Sequence, residues 1–167
     1  MRRIALALAL VLAAPARGGE DEAAARFDAL ARELVPVCVH RAATRCFEAA
    51  FAHADEDGDD ALEVAEIDAL RRAASAWFVA ERERLTVREQ TVIAMGLAVV
   101  NVAGVDRLVA AYDADGDGRL DRAELTADVT LDERPLPALV RDEEAVDWAA
   151  IRGRLGTVAG ALLPAPE

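Results

Sequence analysis

Lysine is absent from the 167-residue sequence, and aromatic residues make up only 4% of it. The 19 basic residues are therefore all arginines, against 31 acidic residues, and the formal net charge is −12. A chain this acidic repels the phosphates of nucleic acids and the anionic headgroups of lipids, so neither is an expected partner. Hydrophobic residues nevertheless account for 54% of the chain, which excludes a disordered tail and predicts a globular core.

Histidine is also scarce, with His40 and His53 as its two copies. The sequence has no Ser-His-Asp arrangement, no glycine-rich phosphate loop and no HExxH run. We interpret His53 as a helix-end residue and not as a catalytic base, because it lies just before an acidic loop. These absences favour a protein without catalysis; the alternative is an enzyme that uses Cys38 and His40 as a nucleophile pair, which spacing alone does not support.

Cysteine occurs twice, as Cys38 and Cys46. Along one unbroken helix these residues would lie about 12 Å apart, whereas a disulfide needs Cα atoms within roughly 7 Å. Pro36 is expected to end the preceding helical pattern and Thr44 to cap the next helix, so a turn between the cysteines would allow a disulfide. Two alternatives stay open: free thiols, and a transition-metal site of Cys38, His40 and Cys46, which has no fourth ligand in the sequence.

The first 16 residues have the layout of a secretory signal peptide. Arg2 and Arg3 form a positive start, residues 4–14 are uncharged and apolar, and residues 14–16 supply small side chains at the expected cleavage point. The apolar run is too short for a membrane span, which needs about 20 residues. We therefore predict a protein exported to the periplasm or the extracellular space, with residues 17–167 forming one helical domain and no membrane insertion after the signal is removed.

The remaining chain is predicted to be all-α, because no strand-like alternation persists along it. The expected helices cover about residues 20–35, 44–54, 64–85, 86–104, 105–112, 122–129 and 142–162. Thr86 and Glu89 form a capping box at the start of the fourth. Residues 91–105 carry no charge and are predicted to be a buried central helix, because they are too few to span a bilayer. A membrane-associated protein that uses this segment is an alternative, which the acidic surface disfavours.

Two acidic segments carry the chemistry, residues 55–66 (loop 1) and residues 113–124 (loop 2). Each has carboxylates at positions 1, 3, 5, 9 and 12, where alternate residues of a tight loop point their oxygens at one centre, and position 7 offers its backbone carbonyl. The predicted metal ligands of loop 1 are Asp55, Asp57, Asp59, Ala61, Glu63 and Glu66. Those of loop 2 are Asp113, Asp115, Asp117, Arg119, Asp121 and Glu124. Glu at position 12 can give both oxygens, which favours calcium over magnesium, with up to two ions bound.

The loops and their flanks resemble the EF-hand family of calcium-binding proteins. Phe51 and Val109 lie on apolar faces of the helices that enter the loops, and Leu62 and Leu120 occupy loop position 8. In that family the two position-8 residues form a small β-pair, so Leu62 is expected opposite Leu120. The resemblance also implies paired helix-loop-helix units, called hands, at about residues 44–80 and 104–130.

Two features depart from the family pattern. Asp60 replaces the glycine at position 6 of loop 1, where the backbone must be left-handed. We expect loop 1 to bind calcium more weakly than loop 2 or only after loop 2 is filled; the alternative is a loop kept only for pairing. The segment between the loops is also longer than in ordinary pairs. The extra length predicts an inserted helix at about residues 86–103, folded aside as core, in addition to the N- and C-terminal helices.

The resemblance implies a secreted or periplasmic calcium-binding protein without catalysis, in which calcium orders the two loops of a structural module or adaptor. Without metal the acidic ligands repel one another, so the calcium-free form is expected to be less stable. The alternative is a calcium sensor or buffer that acts on a protein partner. Sensors commonly expose a methionine-rich groove, and only Met95 remains once Met1 is removed with the signal, which favours the structural role.

Overall fold

The structure is a computed structural model that describes residues 17–142 and 144–163, so the predicted signal peptide lies outside the described residues. Within them the chain is mostly helical, as predicted. Its elements are α1 (Arg17–His40), α2 (Ala43–Ala54), β1 (Leu62–Glu63), α3 (Val64–Glu81), α4 (Val87–Ala103), α5 (Val105–Tyr112), β2 (Arg119–Leu120), α6 (Arg122–Leu125), α7 (Leu136–Leu139) and α8 (Trp148–Gly160). Loop 1 connects α2 to α3, and loop 2 connects α5 to α6.

Helix α1 continues through Pro36 to His40, so the prediction that proline ends this helix is wrong. Proline has no N–H and removes one helical hydrogen bond, but packing can hold the helix past it. Helix α1 packs along α3. There the rings of Phe27 and Trp77 have centroids 5.5 Å apart, and the indole N–H of Trp77 donates to Asp28 at 3.1 Å. The packing of α1 on α3 therefore outweighs the tendency of Pro36 to end the helix.

The turn between the cysteines comes just after His40, and Cys38 and Cys46 form a disulfide with their Cα atoms 4.6 Å apart. The bridge fastens the end of α1 to the first turns of α2. This settles the alternatives left open by the sequence, because both sulfurs are in the disulfide. Neither a transition-metal site of the two thiolates nor a Cys38 nucleophile exists in this state of the protein.

The apolar core between the two loops lies beside the short sheet. Strands β1 and β2 pair antiparallel with Leu62 opposite Leu120, which confirms that prediction. Two buried clusters lie beside this pair, and Ile67 and Leu125 pack against both. The buried members of the clusters are Phe51, Ala54 and Leu62 in one and Val105, Val109 and Leu120 in the other. The helices flanking the two loops therefore share apolar contacts despite the long segment between them.

Helix α4 begins with the predicted capping box, in which the N–H of Thr86 donates to Glu89 at 2.8 Å. The prediction that this helix is buried is wrong. Only Val99 and Ala103 are buried among its residues, whereas Val87 and Val92 are 79% and 64% exposed. Both buried residues lie in its C-terminal half, and the most exposed apolar side chains lie nearer its start. No described helix alone is long and apolar enough to cross a membrane; α4 and α5 meet those limits only as a pair bent by 81°.

The C-terminal part differs most from the predicted helices. Helix α6 ends at Leu125, because Val129 leaves the helix to form a β-bridge with Val146. The predicted loop before the last helix contains the short helix α7, and the last helix is α8, shorter at both ends than the predicted 142–162. It starts where the side chain of Asp147 accepts the N–H of Ala150 at 2.8 Å. A third buried cluster lies here, formed by Ala43, Leu139, Ala145 and Val146.

Candidate metal sites

Loop 1 is curled around the carboxylate of Asp55. One oxygen, Oδ1, accepts the N–H of Gly58 at 2.8 Å, and the other, Oδ2, accepts that of Asp60 at 3.1 Å. Glu66, in the first turn of α3, reaches back across the loop and accepts the N–H at position 2 at 2.7 Å. Oxygens of Asp55, Asp57 and Glu66 lie within 4.8 Å of one another, so this group could hold a metal ion.

Loop 2 repeats this arrangement. Asp113 accepts the N–H of Gly116 at 2.7 Å through Oδ1 and that of Gly118 at 2.9 Å through Oδ2. Glu124 reaches back to the N–H at position 2 at 2.6 Å. Oxygens of Asp113, Asp115 and Glu124 also lie within 4.8 Å of one another. The same three loop positions, 1, 3 and 12, therefore converge in both loops.

Position 6 has the same backbone conformation in both loops, although the residues differ. The φ angle is 84° at Gly118 and 68° at Asp60. Asp60 is the only non-glycine residue with positive φ in the part of the chain that the structure describes. Aspartate tolerates the left-handed region better than most side chains do, at some cost in strain. Loop 1 thus keeps the fold of loop 2 in spite of the substitution.

The other predicted ligands are placed less uniformly. Asp57, Asp59 and Glu63 form a further exposed group with oxygens within 4.8 Å of one another. In loop 2, Asp117 and Asp121 stay outside the converging group. Asp121 instead caps α6, where its side chain accepts the N–H of Glu124 at 2.8 Å. The two position-7 residues, predicted to bind through their carbonyls, lie where the loops enter the sheet: Ala61 and Arg119.

Two arginines that follow the acidic half of loop 2 contact loop 1, which sequence reasoning missed. The guanidinium of Arg119 pairs with Asp59, and it also lies 3.2 Å from Asp117 of its own loop. Arg122 lies 3.1 Å from Asp60. The predicted pairing of the position-8 leucines could have revealed the first contact, because that register sets Arg119 opposite Glu63 of loop 1.

Arg119 and Arg122 each interact with more than one carboxylate. The negative charge of Asp59, followed by the hydrogen bond to Asp117, raises the pKa of Arg119 above its ordinary value. Arg122 also lies 3.1 Å from Glu48, and its guanidinium carbon sits 3.9 Å from the centroid of the Phe51 ring. It therefore links loop 1, α2 and the core.

A second missed group lies where α5 meets α8. Asp128 is buried, and its carboxylate lies 2.9 Å from Nε of Arg154. The Arg154 guanidinium sits 4.9 Å from the Tyr112 ring centroid and donates to the carbonyl of Ala111 at 3.0 Å. Burial, together with Asp128, raises the pKa of Tyr112 to about 12. This group fixes α5, which enters loop 2, to α8.

No protein-family model, no curated protein and no solved structure matches the chain. The fold and the sites define a helical protein with two similar acidic loops whose carboxylates could hold metal ions. All the converging side-chain ligands are oxygens, which suit hard cations such as calcium, magnesium and manganese better than copper or zinc.

Proposed function

We propose that this protein binds calcium in loops 1 and 2, in the manner of the EF-hand family, and acts outside the cytoplasm as a non-catalytic structural module or adaptor. The observation that carries the proposal is the repeated loop geometry. Two segments distant in sequence both wrap around an aspartate at position 1 and bring a glutamate from position 12 across the loop. A solvated acidic turn has no reason to repeat this pattern.

Calcium is favoured over magnesium by the ligand set. Calcium accepts six to eight oxygens in flexible geometry, including a bidentate carboxylate, whereas magnesium needs near-ideal octahedral geometry. Glu66 and Glu124 each hold both oxygens at the loop, since each accepts a loop N–H through Oε1 and the N–H of its own position-9 residue through Oε2. This placement supports the proposal that each glutamate binds calcium through both oxygens.

A structural role follows from the charge. The carboxylates of each loop repel one another, and a divalent cation that binds only the folded loop removes this repulsion and stabilises the native state. A role in binding a protein partner is the second candidate. The exposed apolar side chains of α4 favour it, and they are Val87, Val92, Met95 and Val102.

The test is thermal unfolding of the purified protein, followed by helical circular dichroism, in excess calcium and in chelator. Calcium at 100 times its dissociation constant adds about 2.7 kcal/mol per site, so the midpoint is expected to rise by several degrees or more. Glu124→Gln removes a bidentate charge at loop 2 without a change in size and is expected to lose most of that site's contribution. Glu83→Gln, on the exposed turn after α3, is the matched control and is expected to match the wild type.

Identical melting curves with millimolar calcium and with chelator would contradict the proposal. If Glu124→Gln kept the full calcium-dependent shift, loop 2 would not be the site. Loss of any cooperative melt in chelator would make calcium a structural strut, whereas a cooperative melt at lower temperature would favour the sensor or buffer.

A further inference from the structure

Arg119 lies between the two loops, and its guanidinium forms an ion pair with one carboxylate of each. Its guanidinium pairs with Asp59 of loop 1 and lies 3.2 Å from Asp117 of loop 2. Both aspartates occupy position 5 of their loops and are predicted calcium ligands. The side chain comes from position 7 of loop 2, where only the backbone carbonyl has a predicted part in binding the ion. It is therefore free to serve another purpose.

Asp59 is held on both of its carboxylate oxygens. Oδ1 accepts the backbone N–H of Ala61 at 3.0 Å, and Oδ2 takes the guanidinium of Arg119. The first contact lies within loop 1 itself. If calcium takes Oδ2, it must displace the guanidinium; if it takes Oδ1, it binds beside a cation that stays on the same carboxylate. Both routes weaken the binding of calcium to loop 1.

We propose that Arg119 competes with calcium for the Asp59 carboxylate, so that a residue of loop 2 sets the calcium affinity of loop 1. The inference rests on the proposed function. A second cation at the same loop supports this assignment, since Arg122 lies 3.1 Å from Asp60 at position 6. Loop 1 carries acidic residues at positions 2 and 6 in addition to its ligands, and the two arginines offset this surplus when calcium is scarce.

The expected size of the effect follows from the exposure of the pair. Exposed ion pairs change an equilibrium by a factor of about 1.5 to 5. Repulsion between the guanidinium and a doubly charged ion a few ångströms away adds to this factor. Removal of the Arg119 charge is therefore expected to raise the calcium affinity of loop 1 by about three- to tenfold.

The experiment isolates loop 1 with Glu124→Gln, which disables loop 2, and measures calcium affinity by isothermal titration calorimetry. Arg119→Gln in that background removes the charge. Arg119→Lys keeps it, and Arg88→Gln removes an equal charge from the exposed first turn of α4, at the end far from its contact with the core. The double variant with Arg119→Gln is expected to bind calcium three- to tenfold more tightly than Glu124→Gln alone. The Lys and Arg88 variants are expected to stay within about twofold of it.

The other outcomes separate the two proposals. Equal affinities with and without Arg119, with calcium still bound, would overturn the competition and leave the proposed function intact. An Arg88→Gln increase as large as that of Arg119→Gln would also overturn it, because net charge alone would explain the gain. If no variant with Glu124→Gln bound calcium while the wild type did, loop 1 would depend on a filled loop 2 or bind no calcium at all, Arg119 would not be what limits it, and the competition would fail. If the wild type also failed to bind, both proposals would be wrong.

Discussion

Position 6 of the loops shows at the scale of one residue how backbone conformation constrains the sequence. Gly118 has φ of 84°, a conformation in which glycine has no Cβ to clash. A Cβ added there would meet no atom within 4 Å, so any substitution is penalised by its backbone alone. Asp60 occupies position 6 of loop 1 with φ of 68°, so loop 1 already contains a residue with a Cβ in this strained backbone conformation.

Gly118→Ala is therefore expected to lower the free energy of unfolding by about 1 kcal/mol, measured in urea with chelator present. Gly96→Ala is the control, since Gly96 lies exposed in α4, has no positive φ and also has nothing within 4 Å of an added Cβ. There the same change favours the helix and is expected to raise stability by up to about 1 kcal/mol. If both variants shifted stability in the same direction, the strain assigned to position 6 would be refuted.

The convergence of the carboxylates at positions 1, 3 and 12 of each loop was predictable from the sequence, whereas the cations beside them were not. Spacing alone placed Asp55, Glu66 and Glu124, because a ligand pattern within one short loop depends only on local geometry. Arg119 reaches a carboxylate on the other loop. Such a contact depends on the register between distant strands and on the rotamer of a long side chain. The position-8 leucines predicted the register, but the rotamer of Arg119 leaves no trace in the sequence.

At the scale of elements, helices bounded by loops and glycine were predicted better than those bounded by tertiary contacts. Helix α5 has the predicted bounds, because Gly104 precedes it with φ of 82° and loop 2 begins directly after it. Helix α1 passes Pro36, and the last helix begins only after Val146 has paired with Val129. Those ends are set by packing and by a β-bridge, for which the hydrophobic period gives no signal.

Arg134 joins the segments on either side of α7 and accounts for one pH dependence. It lies 2.7 Å from Asp132 and 2.5 Å from Asp142, and its carbonyl accepts the N–H of Ala43 at 2.7 Å, where α2 begins. Its hydrogen bonds to the two aspartates lower the pKa of both carboxyls. A lowered pKa stabilises the folded state above the ordinary value of 3.8, and this contribution is lost as the pH falls through and below it.

Arg134→Gln is expected to lower the melting temperature at pH 7, with the gap to wild type closing as the pH falls below the ordinary carboxyl pKa. The control is Arg141→Gln, an equal loss of charge just after α7 at an exposed residue. Arg141→Gln is expected to lower the melting temperature less at pH 7, and its difference from wild type is not expected to shrink as the pH falls. A gap between Arg134→Gln and wild type that stayed constant from pH 7 to pH 3 would argue against the paired aspartates as its cause.

For the whole molecule, the decisive feature is the core that the two loops share. Ile67 follows the last predicted ligand of loop 1 and Leu125 follows the last predicted ligand of loop 2, and each packs against both buried clusters. Helix α4 enters this core only through its C-terminal half, so the long insertion does not separate the loops. Filling one loop is therefore expected to order the other.

Ile67→Ala tests this connection when calcium binding is measured at loop 2 alone, in a Glu66→Gln background that disables loop 1. Because Ile67, like Leu125, packs against the buried cluster that contains Leu120 of β2, its truncation is expected to loosen the exit from loop 2 without altering any predicted loop 2 ligand. Coupling between connected sites is commonly worth about 1–3 kcal/mol, so affinity at loop 2 is expected to fall by about fivefold or more. The measurement is isothermal titration calorimetry at a temperature where both proteins are folded.

Leu139→Ala is the matched control, because Leu139 is fully buried in the third cluster, which does not include Ile67 or Leu125. Truncation of a buried leucine lowers the free energy of unfolding by about 2–5 kcal/mol. Leu139→Ala is expected to lower the melting temperature at least as much as Ile67→Ala does, while the calcium affinity of loop 2 stays unchanged. Equal losses of affinity in both variants would mean that affinity follows global stability, and a loss in neither would mean that the loops bind independently in spite of the core they share.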